Sequence, residues 1–393
     1  MLAAFLAVSA FSLPAAAADD PPQTRGFDEL KAETQSRSDR NAYPLVDLDP
    51  AEVKAALATL SGWDRDAWAH AFIVVGDRHM ATAAAPGATP RSVIGETLKA
   101  WRYYAFARWP VTNAPQKLLA HRKAAEAFSR YAALASPRIE ELQIPFEGKA
   151  IRANLQLPDG IRPAPLIISI GGVDSWRDGV AIGNRPFIDA GIASLAIDMP
   201  GTGEAPLPNA PGSERIVSAI LDWLPRHRPD IDMRHILVRG QSWGGYWAAR
   251  AGYAEPTRLR GVVDQGGPSD HYFTREWQEP SLKSKEYLFD FVQSRLFVWG
   301  QQSVATSWDW MASMSFKQGG LIDRPSPPML LVDGLNDSQT PIGDLIEVAT
   351  HGTPKQIWIN PQGGHMGRGP GWNDERVTRD VVMPWVRDTL AVK

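Results

Sequence analysis

Two hydrophobic patterns divide the chain, and the change falls at Ser136-Pro137. Before it, apolar residues recur at helical spacing. Asp49-Pro50-Ala51-Glu52 places an N-cap acid, a proline at the first helical position and a glutamate suited to a capping box ahead of AEVKAALATLSGW. PRSVIGETLKAWRYYAFARWP is a second helical run, dense in aromatics and ended by Pro110, since proline lacks the backbone donor a helix needs. A third opens at Asn113-Ala114-Pro115 and carries QKLLAHRKAAEAFSRYAAL. Past the boundary, RIEELQIPFEGKAIRANLQLPDG alternates as two strands around Glu147-Gly148, which predicts a hairpin. APLIISIGG, IASLAIDMPG, HILVRGQS, GVVDQGG, PMLLVDG and KQIWIN follow, each apolar and bounded by turn residues. Helix-compatible segments such as SERIVSAILDWL and WAARAGYA separate several of them. Continuous apolar strands alternating with helices predict a mostly parallel sheet with helices on both faces.

The same pattern sets the domain boundaries. MLAAFLAVSAFSLPAAAADD has an apolar core too short for a bilayer span, then Pro14 and the small-residue site Ala16-Ala17-Ala18. Residues 1–18 therefore read as a cleavable signal peptide, although no Lys or Arg precedes the apolar core. Residues 19–45 are polar and proline-bearing, as in a surface arm or linker. Residues 46–136 are expected to form a helical cap domain, and residues 137–393 a separate α/β domain. The expected location is periplasmic or secreted, with the cytoplasm as the alternative.

Composition narrows the chemistry. With 393 residues, 44% hydrophobic and 22% charged, the chain can bury a core without a staple. A formal charge of −3 gives no electrostatic ground for a nucleic-acid or membrane partner. A small-molecule acyl substrate is the expected partner, and a homodimer stays open. Cysteine is absent, which removes thiol catalysis and cysteine-ligated zinc, and the histidines lack metal-ligand spacing. No metal and no cofactor are expected.

The reaction must then use oxygen and nitrogen groups. LVRGQSWGGYWAAR sets Ser242 within Gly240-Gln241-Ser242-Trp243-Gly244. This G-x-S-x-G pattern is short enough to arise by chance. Its place between an apolar strand and a helix-compatible run makes Ser242 a candidate nucleophile, because small glycines let the chain bend sharply and expose the hydroxyl. A serine attacks poorly unless a base takes its proton and a carboxylate orients that base. PMLLVDGLNDSQTPIGD offers Asp337 just past a strand end; Asp333 lies within the strand and is expected to point elsewhere, and Asp344 is a weaker competitor. KQIWINPQGGHMGRGPGW offers His365, the one histidine that follows the acid at the end of a final strand. APLIISIGGVDSW ends in Gly171-Gly172, so the N–H of Val173 is the expected partner of the Trp243 N–H in an oxyanion hole. Convergence of these loops requires parallel strands sharing one edge.

Substrate contacts are expected from Gly172, Asp174, Trp101, Tyr104 and His271, each with a plainer reading. Asp174 could brace the oxyanion loop by hydrogen bonds or simply be exposed, and His271 could make a local turn bond. Trp63, Trp68, Trp101, Tyr103 and Tyr104 pack between helices by default; one or two facing the cleft would favour an aromatic acyl group. DMPGTGE reads as a tight structural turn.

IGGVDSW, DMPGTGEA, GQSWGGYWAAR, the HYFTREWQ stretch, DGLNDSQTP and the late GGH resemble the fermentation/respiration switch protein (FrsA-like) esterase family of α/β-hydrolases. That family is similar in turn to carbon–carbon hydrolases of aryl ketones and polyketides. The resemblance is specific over residues 139–393. It implies an α/β-hydrolase fold, Ser242 as nucleophile, Asp337 as acid, His365 as base, and a tryptophan-bearing helical region covering the site. The export signal and the unusually tryptophan-rich cap depart from that pattern. The expected function is ester hydrolysis through an acyl-enzyme. Two alternatives remain: carbon–carbon cleavage of a β-diketone or aryl ketone by the same residues, and partner binding by a hydrolase fold without turnover.

Overall fold

The six apolar runs become six mutually parallel strands, and the hairpin extends them into one eight-stranded sheet. A computed structural model describes residues 24–392, so the signal read over residues 1–18 lies outside the described residues. The strands are β1 (Ile139–Phe146), β2 (Lys149–Gln156), β3 (Ala164–Ile170), β4 (Ala193–Ile197), β5 (Ile231–Gln241), β6 (Gly261–Gln265), β7 (Met329–Gly334) and β8 (Gln356–Asn360). Their order is β1-β2-β4-β3-β5-β6-β7-β8, with β2 antiparallel to both β1 and β4. Glu147 and Gly148 turn the hairpin with φ of 46° and 75°, the positive values that match strand twist in a two-residue turn.

Successive side chains point to opposite faces. Leu166, Ile168, Val238 and Leu331 enter one core, while Ile167, Leu237, Leu330 and Val332 enter another. Tight turns join the strands to the helices that cover both faces. Among them, α6 (Arg177–Gly183) and α7 (Arg185–Asp189) follow β3, α8 (Arg215–His227) precedes β5, and α9 (Trp243–Ala254) follows it. Three short helices, α10 (Arg275–Ser281), α11 (Phe291–Trp299) and α12 (Trp308–Met314), lie between β6 and β7; α13 (Ile342–Thr350) joins β7 to β8.

Five helices precede the sheet, and these are numbered separately as αA to αE in chain order: αA (Phe27–Asp39), αB (Pro50–Ala58), αC (Arg65–Ala83), αD (Pro90–Arg108) and αE (Pro115–Leu134). Residues 19–45, expected as a linker, thus contain a helix. Its polar surface faces solvent while Leu30 is buried as anchor, and Arg37 ties it to the backbone of Glu286 at 2.8 Å. The capping box is only half made. Asp49 caps αB through the Ala51 N–H at 2.8 Å, but Glu52 turns away to accept the Tyr103 hydroxyl at 2.6 Å. The periodicity reading leaves out αC, the middle of this layer, because it buries Trp68, Ala69, Phe72, Ile73 and Val75 on more than one side. Its Trp68 ring lies 5.2 Å from Phe289, which comes from the segment between β6 and β7. The helical layer is thereby packed onto the sheet domain. No helix among the described residues is long and apolar enough to cross a membrane.

Candidate active site

The turn after β5 is forced by its glycines. A Cβ on Gly240 would lie 1.8 Å from the Gly244 carbonyl oxygen, and one on Gly244 would lie 2.2 Å from the Ile170 oxygen. Only glycine lets α9 start so close to β5 and β3. Between them Ser242 takes φ 54° and ψ −130°, a conformation that L-residues rarely occupy and that surrounding bonds must hold. Its N–H donates to the Gln265 carbonyl at 2.7 Å, and its own carbonyl accepts the Gly245 N–H at 2.7 Å.

The loops after β7 and β8 meet this turn. Gly334 is pressed against the Gly363-Gly364 backbone, and the Asn336 N–H donates to the Gly363 carbonyl at 2.9 Å. That crossing brings the acid under the histidine. His365 Nδ1 lies 2.7 Å from Asp337 Oδ2, and His365 Nε2 lies 2.8 Å from Ser242 Oγ. The remaining Asp337 oxygen accepts the Gln339 and Thr340 N–H groups at 2.6 and 3.1 Å. With the carboxylate taking Nδ1–H, the neutral imidazole presents Nε2 to the serine as an acceptor. Burial disfavours the imidazolium, but the charge and hydrogen bond of Asp337, helped by Glu286, outweigh it and raise the His365 pKa above its ordinary value.

The loop after β3 runs beside the serine. A Cβ on Gly172 would lie 2.9 Å from Ser242 Cβ and 3.4 Å from its Oγ, so Gly172 passes directly beside the hydroxyl. Asp174 braces this loop rather than standing simply exposed. It accepts the Trp109 indole N–H at 3.1 Å and lies beside the phenols of Tyr43, an exposed residue, and Tyr287, a buried one. The Trp243 ring stacks on Trp310 with centroids 6.1 Å apart and lies near Trp299 and Phe273, in an aromatic cluster from the segment between β6 and β7.

Three expected substrate contacts are engaged elsewhere. Trp101 donates its indole N–H to Asp178 at 2.9 Å, beside a two-pronged Arg108–Asp178 ion pair at 2.7 and 2.9 Å. It ties αD to α6. Tyr104 donates to Asp77 at 2.5 Å, with its ring on Gly76, inside the helical layer. His271 is exposed, packs on Gly343 of α13, and gives its backbone N–H to Asp344 at 2.6 Å. Asp344 also accepts the Ser269 and Tyr272 N–H groups, a loop anchor rather than a rival acid. Asp198 binds the Arg177 and Glu204 N–H groups, the structural turn expected of DMPGTGE.

One buried acid lies where the sequence did not place it. Asp333 does not point away: its carboxyl lies within 4.8 Å of that of Asp337. Asp333, Asp337 and His365 bring polar atoms within 4.8 Å of one another, the one such cluster with metal-ligand potential among the described residues. Both imidazole nitrogens are already engaged, by Asp337 and Ser242, so an ion here would have to break that chain.

A serine held in a strained turn after a central parallel strand, followed in the chain by an acid and then a histidine at later strand ends, defines an α/β-hydrolase. Solved structures share the fold. AbyA5 superposes with a TM-score of 0.72 at 22% identity, covering 93% of this chain and 95% of its own. A 2,6-dihydroxy-pseudo-oxynicotine hydrolase does so with a TM-score of 0.68 at 20% identity, covering 87% and 93%. The model of the family described as Esterase FrsA-like matches residues 51–361, and the chain belongs to that family. Esterase FrsA of Photobacterium profundum is 26% identical over 371 residues, 88% of this chain and 85% of that protein. The alpha/beta hydrolase ucsC of an Acremonium species is 27% identical over 333 residues, 74% of this chain and 64% of that relative, so the match spans less than two thirds of its length. The protein is a hydrolase of the α/β-hydrolase fold.

Proposed function

We propose that the protein is a serine carboxylesterase with Ser242 as nucleophile, His365 as general base and Asp337 as the acid that orients it. The observation that carries this reading is the unbroken chain Ser242 Oγ to His365 Nε2 at 2.8 Å and His365 Nδ1 to Asp337 Oδ2 at 2.7 Å. His365 takes the hydroxyl proton as Oγ attacks the ester carbonyl. The Trp243 and Val173 N–H groups receive the oxyanion, and His365 returns the proton to the departing alcohol. Water, deprotonated by His365, then attacks the acyl-enzyme and frees the acid. The helices αB to αE act as a cap over this site. The aromatic cluster around Trp243 suits an acyl group with an aromatic or other flat apolar body.

A second reading, carbon–carbon hydrolysis of a β-diketone or aryl ketone, is favoured by one feature. Such a reaction must protonate a carbon leaving group, and Tyr43 and Tyr287 set two phenolic hydroxyls at Asp174, next to the proposed oxyanion loop. Labelling with a fluorophosphonate probe and product analysis with short-chain aryl esters and aryl β-diketones test both. Ser242→Ala is expected to lose at least about a thousandfold in turnover of the cleaved substrate. Cleavage of ketones alone would select the second reading, and folded wild type that takes no label would leave the fold as a binding scaffold.

A further inference from the structure

The strand that leads to Asp337 delivers a second carboxyl beneath it. Asp333 is 1% exposed and lies one residue before the end of β7. Its Oδ1 accepts the Gly334 N–H at 2.9 Å and the Met366 N–H at 3.0 Å, and a carboxyl oxygen lies within 4.8 Å of one of Asp337. Two ionised carboxylates have no proton to share and repel at such range, so one of the pair carries a proton. Asp337 holds the imidazole N–H and two backbone donors, three partners that favour its charge. Asp333 has backbone donors on one oxygen only. Burial and the neighbouring Asp337 charge push its carboxyl well above the usual range, with a smaller push from Asp264 on β6.

We propose that Asp333 is a positioning residue: a neutral carboxylic acid that donates to Asp337 and through it sets the orientation and basicity of His365. Only the catalytic consequence rests on the proposed serine mechanism; the proton on Asp333 does not. A donor on Asp337 spreads the negative charge that holds the imidazolium. His365 is therefore kept less basic than a bare carboxylate would make it, and more of it is available as free base. The other charged groups facing His365 are Glu286 and Arg368, of opposite sign to each other.

The test follows the His365 ring proton by NMR titration, assigned with His365→Gln, in wild type, Asp333→Asn and Asp333→Leu. The asparagine keeps an oxygen for Gly334 and Met366 and turns an N–H toward Asp337. It should leave the His365 pKa within about 0.3 of wild type, and the leucine, which removes the donor, should raise it by about 0.5 to 1. The acid limb of kcat/KM should move with it. A fall of about one unit in Asp333→Asn would overturn the proposal, because that is the effect of deleting a nearby negative charge. Unchanged titration in Asp333→Leu, with only a lower melting temperature, would overturn it too. Should the leucine variant not fold, infrared spectroscopy decides: a protonated carboxylic C=O stretch at about pH 8, present in wild type and lost in Asp333→Asn, is expected, and its absence from wild type refutes the claim. Fluorophosphonate labelling reports separately on the serine mechanism, so either idea can fail alone.

Discussion

Replacing Asp337 with asparagine should disable turnover while leaving the architecture intact, because of how its two oxygens are held. Asp337 Oδ1 is fixed by the Gln339 and Thr340 N–H groups at 2.6 and 3.1 Å, so an amide at this position must keep its oxygen there. Its NH2 then faces His365 Nδ1, 2.7 Å away, where an N–H now sits. Two donors cannot face each other. The imidazole has to move its proton to Nε2, which lies 2.8 Å from Ser242 Oγ and needs to be an acceptor. A wrong tautomer of this kind lowers turnover by about ten-thousandfold, equivalent to about 5 kcal/mol of transition-state stabilisation. The assay is kcat for a short-chain aryl ester, with labelling rate and melting temperature measured on the same preparation. A loss below about tenfold, in a variant melting close to wild type, would refute the role given to Asp337.

Two further outcomes follow from the same geometry. Gly244→Ala places a methyl 2.2 Å from the Ile170 carbonyl and 2.6 Å from that of Gly171, and backbone on both sides leaves it nowhere to go. It should cost about 3 kcal/mol or more in urea denaturation and abolish labelling; Gly95→Ala, with open space around it, is the control. For pH, the proposed mechanism makes the free-base form of His365 the active one, and its pKa is raised above its ordinary 6.5. Activity is therefore present above that raised value and lost as pH falls through it, so the acid limb of kcat/KM should lie above 6.5 in wild type. A limb below that value would contradict the Asp337 effect.

The serine, acid and histidine were legible because each sits in a loop that an apolar strand announces. The glycines beside them, Gly240 and Gly244 at the turn and Gly334 under the histidine loop, mark close backbone approaches. Asp333 was misread although strand alternation sets it on the same side as Leu331, whose core lies under α9. A residue near a strand's end can lean past it, and spacing alone does not say how far. Trp101 and Tyr104 failed for another reason. Helical periodicity shows that a face is buried, but not what buries it, and here the partners are Asp178 on α6 and Asp77 on αC. The helix αA stayed hidden because one buried leucine in a polar run gives almost no periodic signal.

The hold of αD on the β3 side of the sheet constrains how a guest can enter. Trp101 and Arg108 grip Asp178 just downstream of the glycine pair, and Trp109 grips Asp174 within the same turn. On the proposed arrangement, the cap and the loop beside Ser242 are therefore tied together. If the proposed mechanism holds, a bulky acyl chain that wedged them apart would misalign the amides proposed to receive the developing charge, so oversize guests should be slow to react rather than slow to bind.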